Sequence, residues 1–151
     1  MSPSMKKLQP YFLPVTFLIA ALSMAGSLYF SEVLHLAPCV LCWYQRITMY
    51  PLVAISLVAM LRKDKKAWEY ILPFALIGLG IATYHVILYY GVNWGFHPEW
   101  QGPCQNGISC TTRYIEWFGF ITIPLLSWTA HLTISVMMGL AWWIDRKPVS
   151  S

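Results

Sequence analysis

The chain has 151 residues, of which 58% are hydrophobic and 11% charged, with a formal net charge of +4. A soluble domain carries about 25% charged residues, so this composition excludes an aqueous globular fold and fits one compact unit, residues 1–151, held by apolar contact. Nucleic-acid binding is excluded too, because the basic residues flank apolar blocks instead of forming a charged face.

The apolar residues fall into four blocks, each near the roughly 20 residues that cross about 30 Å of hydrocarbon as a helix. They run from Leu8 to Ser31, Trp43 to Leu61, Tyr70 to Tyr90 and Trp117 to Ile144, and predict a four-transmembrane-helix bundle, an all-α membrane protein. The first block follows Lys6 and Lys7 and ends near Ala25, Gly26 and Ser27, which gives it some look of a cleaved signal. A signal core runs about 7 to 15 residues, whereas here hydrophobicity continues through Leu28, Tyr29 and Phe30. It reads as a retained first span.

Lys6 and Lys7 precede the first span, Arg62, Lys63, Lys65 and Lys66 separate the second from the third, and Arg146 and Lys147 follow the fourth. Lys and Arg concentrate on the cytoplasmic side of membrane proteins, so both termini and the Arg62 to Ala67 loop are expected in the cytoplasm. The other two loops then face outward.

Cys39 and Cys42 lie where the first outer loop meets the second span. With a helix starting near Pro38, Cys39, Cys42 and Arg46 follow an i, i+3, i+7 pattern on one face. A helix N-terminus and a nearby guanidinium both favour a thiolate, the form that attacks disulfides. Arg46 is the only charged residue inside the four blocks. It either snorkels to the interface, which it can reach from about one turn down, or stabilises a Cys42 thiolate and an anionic acceptor beside it.

His85 sits in the third span near its outer end, at a depth comparable to Arg46, and His131 near the middle of the fourth. Each can simply bond to a neighbouring helix; His85, sharing its depth with Cys42 and Arg46, is the better candidate for a functional role. Cys104 and Cys110 belong to the second outer loop, Gly91 to Glu116, with Asn106-Gly107 between them. Asn-Gly favours a tight reversal, which brings the two sulfurs within bridging distance. Trp94, Phe96 and Trp100 place this loop along the lipid headgroups.

All four cysteines therefore lie on the outer face, where disulfides persist. The pairs alone admit redox centres, structural bridges, or a zinc site built from Cys39, Cys42, Cys104 and Cys110 with His35 or His97 as substitutes. An oxidising compartment works against four free thiolates, so no metal is expected.

The run Cys39-Val40-Leu41-Cys42-Trp43-Tyr44-Gln45-Arg46, the following Met49-Tyr50-Pro51, and Ile115 to Pro124 resemble the DsbB-type membrane thiol oxidases, in particular the short BdbC branch of Bacillus-like bacteria. The resemblance covers nearly the whole chain. It implies a bacterial cytoplasmic-membrane enzyme that reoxidises a soluble or lipid-anchored thioredoxin-like thiol oxidase, of DsbA or BdbD type, and passes electrons to a membrane quinone, menaquinone or ubiquinone. By the same resemblance, Cys104 and Cys110 exchange with the partner, Cys104 forming the mixed disulfide. Cys39 and Cys42 hand electrons to quinone, with Cys42 contacting the ring and Arg46 and His85 beside it. The five residues between Cys104 and Cys110 match the short branch, not the longer Gram-negative spacing. The alternative is a noncatalytic four-span protein with two structural disulfides.

Overall fold

A computed structural model describes residues 3–99, 103–104 and 108–146. The first helix, α1, spans Pro3–Leu28 and runs on into a π-helical turn, Tyr29–Val33. Helix α2 covers Val40–Leu61, α3 covers Trp68–Asn93 and α4 covers Ile123–Arg146. All four helices are long and apolar enough to cross a membrane, so this is a multi-pass membrane protein.

Each helix packs on two neighbours, closing a ring in the order α1, α2, α3, α4. Neighbours are antiparallel: Arg46 at the start of α2 meets Ser27 near the end of α1, and Gln45 meets His85 near the end of α3. The basic Arg62–Lys66 loop therefore shares one end of the bundle with the C-terminus of α4. Both cysteine pairs gather at the opposite end. Large apolar side chains such as Leu18, Ile47, Ile77, Ile87 and Val136 point outward, as expected of a surface that meets lipid.

Between helices, where hydrophobic driving force is weak in lipid, close packing by small residues takes over. Ala20, Ala59, Ala75 and Ala82 are almost completely buried. At the centre, His131 of α4 donates Nδ1–H to the Ser127 carbonyl at 2.9 Å and lies 3.2 Å from Thr48 Oγ1 of α2. This satisfies a buried imidazole and gives His131 the helix-bonding role open to it in the sequence. Gly78 of α3 lies against this ring, and a Cβ there would collide with it.

Elements begin where the local chemistry stops the preceding chain. The Cys39 sulfur accepts from the Cys42 N–H at the start of α2. Thr122 accepts from the Leu125 N–H at the start of α4, with Pro124 in the first turn where no N–H is needed. The apolar block beginning at Trp117 is therefore not helical throughout. Glu116–Trp117 (β1) and Ile121–Thr122 (β2) form a short antiparallel pair around a turn with Phe118 at φ 55° and Gly119 at φ 78°. Positive φ is incompatible with a right-handed helix, so the last span starts at Ile123 and the hairpin belongs to the loop that carries Cys104 and Cys110. The other three spans occur as expected, with α2 and α3 a turn longer at the end that carries the cysteines.

The contact at Gly78 makes a paired prediction. Gly78→Ala should destabilise the detergent-solubilised protein by about 1–3 kcal/mol, the range for overpacking, seen as a lower thermal midpoint. Gly80→Ala, two residues along and with open space at its Cβ position, should leave the midpoint unchanged or raise it slightly.

Candidate functional site

The N-terminal turn of α2 carries the first cysteine pair. Cys39 caps the helix, its sulfur 3.3 Å from the Cys42 backbone nitrogen, and the two sulfurs lie 2.6 Å apart. Cys39 is 5% exposed, and Cys42 is half-buried. The expected thiolate at Cys42 is displaced to its neighbour: the helix N–H points at Cys39. In the dithiol state, the hydrogen bond from the Cys42 thiol, reinforced by His85, outweighs burial and draws the Cys39 thiol well below its ordinary value.

Cys104 and Cys110 are joined by a disulfide, with their Cα atoms 5.6 Å apart. The expected reversal at Asn106-Gly107 lies outside the described residues. Both sulfurs are buried together with Cys39, Leu41 and Leu88, so the loop pair rests directly on the helix pair. Cys110 Sγ, Cys39 Sγ and a ring nitrogen of His85 all lie within 4.8 Å of one another.

His85 makes this junction. Its Nε2 is 3.0 Å from the Cys110 carbonyl oxygen and 3.9 Å from Cys39 Sγ. A carbonyl can only accept, so Nε2 carries the proton and Nδ1 of the neutral ring accepts. The Gln45 amide supplies that donor at 2.9 Å. The Cys110 carbonyl therefore sets the tautomer, and Gln45 satisfies the other ring nitrogen. It lies three residues after Cys42, on the face that turns inward, which was the available signal for it in the sequence.

The loop is held down by further polar contacts. Arg113 donates to Asn93 Oδ1 and to the Asn93 carbonyl at 2.7 and 2.8 Å, and Asn93 donates to the Thr111 carbonyl. Tyr89 donates to Glu116 at 2.8 Å, Tyr90 to the Phe120 carbonyl, and Tyr114 to the Ala37 carbonyl at 3.2 Å. Tyr114 carried no signal in the sequence, since it contributes through the loop's return over the first pair.

Two hollows meet at Cys42. A small one, about 30 Å³, lies between the pairs and includes Cys39, Cys42, His85, Tyr89, Cys110 and Tyr114 in its wall. The other, about 350 Å³, opens among α1, α2 and α4, with Phe30, Cys42, Gln45, Arg46, Met49 and Tyr50 among its lining residues. This is within the usual size of a small-molecule site. Cys42 is the only cysteine on its wall. Arg46 donates to the Ser27 carbonyl at 3.1 Å and stacks 5.3 Å from the Trp43 ring, with no acidic partner among the described residues. Arg46 and Cys42 thus share the larger cavity, whereas His85 lies on the other side of the cysteine pair. His35 lies in the first loop, and His97 pairs with Glu99; neither is part of this cluster.

Four membrane-spanning helices carrying two abutting cysteine pairs at one end define a membrane thiol–disulfide oxidoreductase. Residues 9–144 match the family described as disulfide bond formation protein DsbB. The chain belongs to the DsbB family. It is 44% identical to disulfide bond formation protein C of Bacillus subtilis over 84% of this chain and 89% of that protein. It is also 41% identical to probable disulfide formation protein C 2 of Bacillus anthracis, over 87% of this chain and 90% of the relative. A third relative, probable disulfide formation protein C of Halalkalibacterium halodurans, is 43% identical over 80% of this chain and 85% of its own length. No solved structure matches significantly.

The displaced thiolate can be measured. With Cys104 and Cys110 both replaced by serine and the remaining pair reduced, the thiolate absorbance of Cys39 should persist well below the ordinary thiol pKa of 9.0. Cys42→Ala should move the titration back up. An unchanged titration would show that the neighbouring thiol does not set the acidity of Cys39.

Proposed function

We propose that this protein is a membrane thiol oxidase that reoxidises an extracytoplasmic thioredoxin-like dithiol and delivers the electrons to a membrane quinone. The observation that carries the reading is the position of Cys42, whose side chain borders both the hollow beneath the loop disulfide and the cavity beside Arg46.

The first exchange takes place at the loop. A partner thiolate attacks Cys104, the Cys104–Cys110 bond breaks, and the electron pair leaves on Cys110. Resolution of the mixed disulfide releases the partner oxidised and leaves Cys104 and Cys110 as a dithiol. In the second exchange the freed Cys110 sulfur attacks Cys39, from which it is separated by no more than 4.8 Å. Cys42 departs as the leaving group, and closure of Cys104 onto Cys110 releases Cys39. Two electrons and two protons have then moved from the partner to the Cys39–Cys42 pair.

The His85 N–H stands beside both Cys39 Sγ and the Cys110 carbonyl. It holds the attacking residue over its target and stabilises negative charge on Cys39 as the second exchange resolves. The Cys110 carbonyl, which can only accept, keeps that proton on Nε2.

The larger cavity suits a quinone head group: apolar over most of its wall, with one cation and one thiol at its inner end. Cys42 and Arg46 on its wall are the residues that would hold and meet such a ring; quinone would supply the acceptor for the two electrons and two protons, and Arg46 would stabilise the charge that develops on an oxygen. The Arg62–Lys66 loop faces the cytoplasm of the bacterial cell and the cysteine end faces outward, in keeping with the basic charge distribution.

Quinone reduction by purified protein supplied with a reduced thioredoxin-like partner tests this scheme. Cys42→Ser and Cys104→Ser should each abolish turnover; undiminished turnover in both would overturn the proposal. Arg46→Ala removes a charged hydrogen-bond donor, worth about 1.5–3 kcal/mol. It should raise the apparent KM for quinone by about 10- to 100-fold while changing the thermal midpoint little. Equal losses of stability and activity would instead mark Arg46 as a snorkelling residue.

A further inference from the structure

The thiols that lie together at the outer end of the bundle have a second chemistry available when they are all reduced. Cys39 Sγ, His85 and Cys110 Sγ form a buried three-membered group within 4.8 Å, and Cys42 Sγ is 2.6 Å from Cys39 Sγ. Three sulfurs and one imidazole nitrogen are the donor set of a closed tetrahedral zinc site. We propose that the fully reduced protein binds one soft divalent cation, of which zinc is the natural example, through Cys39, Cys42, Cys110 and His85.

At Zn–S distances of about 2.3 Å, tetrahedral sulfurs stand about 3.8 Å apart. His85 Nε2 already stands 3.9 Å from Cys39 Sγ. Cys42 Sγ must move about an ångström away from Cys39 Sγ and swing toward Cys110 and His85, from whose close group it stands apart. These ligands come from α2, α3 and the outer loop, which already abut.

A metal-bound histidine needs a partner for its other ring nitrogen, and Gln45 is placed to provide one. In the present arrangement its amide N–H donates to Nδ1. When Nε2 gives up its proton to bind metal, Nδ1 carries the hydrogen, and the same amide, turned over, accepts it. An amide serves both tautomers, whereas an acid or an apolar residue would not. Cys110 remains tethered through its sulfur in place of its carbonyl.

Binding moves no electrons. Three Zn–S bonds and one Zn–N bond form, and the protons held by the thiols leave to solvent. The oxidised protein cannot make this site, because sulfurs joined in disulfides are not thiolates. The cation would therefore capture only protein whose electrons have nowhere to go, and hold both pairs reduced until it is removed. His35 and His97, the histidines considered from sequence as possible zinc ligands, take no part.

The full-length protein in detergent, anaerobically reduced and free of quinone, should be titrated with Co²⁺ as a spectroscopic substitute and with Zn²⁺ in competition. One equivalent should bind, giving the ligand-field bands of tetrahedral cobalt and thiolate-to-cobalt charge transfer. The disulfide form should bind none. Cys104→Ser should retain the site, since Cys104 is not a ligand; Cys110→Ser should lose a sulfur ligand and bind at least tenfold more weakly. Gln45→Leu should weaken affinity about 10- to 100-fold, the range for a residue supporting a ligand, and His85→Ala should weaken it further.

Equal affinity in Cys104→Ser and Cys110→Ser, tetrahedral binding by the oxidised protein, or no binding by the reduced protein would each overturn the proposal. Thermal unfolding of the oxidised variants separates ligand loss from misfolding. If His85→Ala does not fold, the cysteine pair of variants decides the outcome alone. Because no quinone enters the measurement, its result is independent of the electron-transfer scheme.

Discussion

The hydrogen bond from the buried His85 ring to the Cys110 carbonyl is the constraint on which the arrangement of the two cysteine pairs depends. Among its described residues, the loop between α3 and α4 has little regular structure beyond the two-residue strands, and many of its other ties are exposed or only partly buried. His85, 1% exposed, anchors it from within α3. In a low-dielectric setting such a bond is strong, and leaving either member unpaired is expensive. Gln45 extends the anchor to α2, so the helix with one cysteine pair and the loop with the other are fastened to the same ring.

The remainder of the bundle makes room for that arrangement. Alanines and Gly78 let α2, α3 and α4 approach closely around His131. Toward the cysteine end, the space among α1, α2 and α4 is less completely filled, and Gly26 and Ser27 leave α1 without bulk opposite Arg46 and Tyr50. Tight packing at mid-depth and a cavity above it are therefore parts of one design, with α2 contributing to both. His131 and His85, both almost fully buried, each bond to a backbone carbonyl, but His85 alone has a cysteine sulfur beside its ring.

Much of this was legible in the amino-acid order. Four apolar blocks with basic residues between them lead to four spans, because length and charge act locally and do not require knowledge of the packing. The start of the second helix near Pro38 follows from that proline and the apolar run after it. Trp117 to Thr122 was not legible in the same way: these residues are as hydrophobic as a span, and only the positive φ at Phe118 and Gly119 shows that the chain turns before the helix begins. Gln45 and Tyr114 belong to the site through contacts with residues 40 and 77 positions away, which no local pattern encodes. The direction of thiol polarisation was also hidden, since it depends on which sulfur receives the Cys42 N–H.

The half-burial of Cys42 and the deeper burial of the other three sulfurs have a chemical consequence beyond electron transfer. On the proposed reading the cavity beside Arg46 admits quinones, electrophiles that add to thiolates, and such an adduct would permanently block a sulfur needed for exchange. An electrophile there would meet Cys42 alone, for Cys42 is the cysteine on the cavity wall, whereas Cys39, Cys104 and Cys110 are each no more than 5% exposed. The fold thus confines that risk to one sulfur and shields the other three.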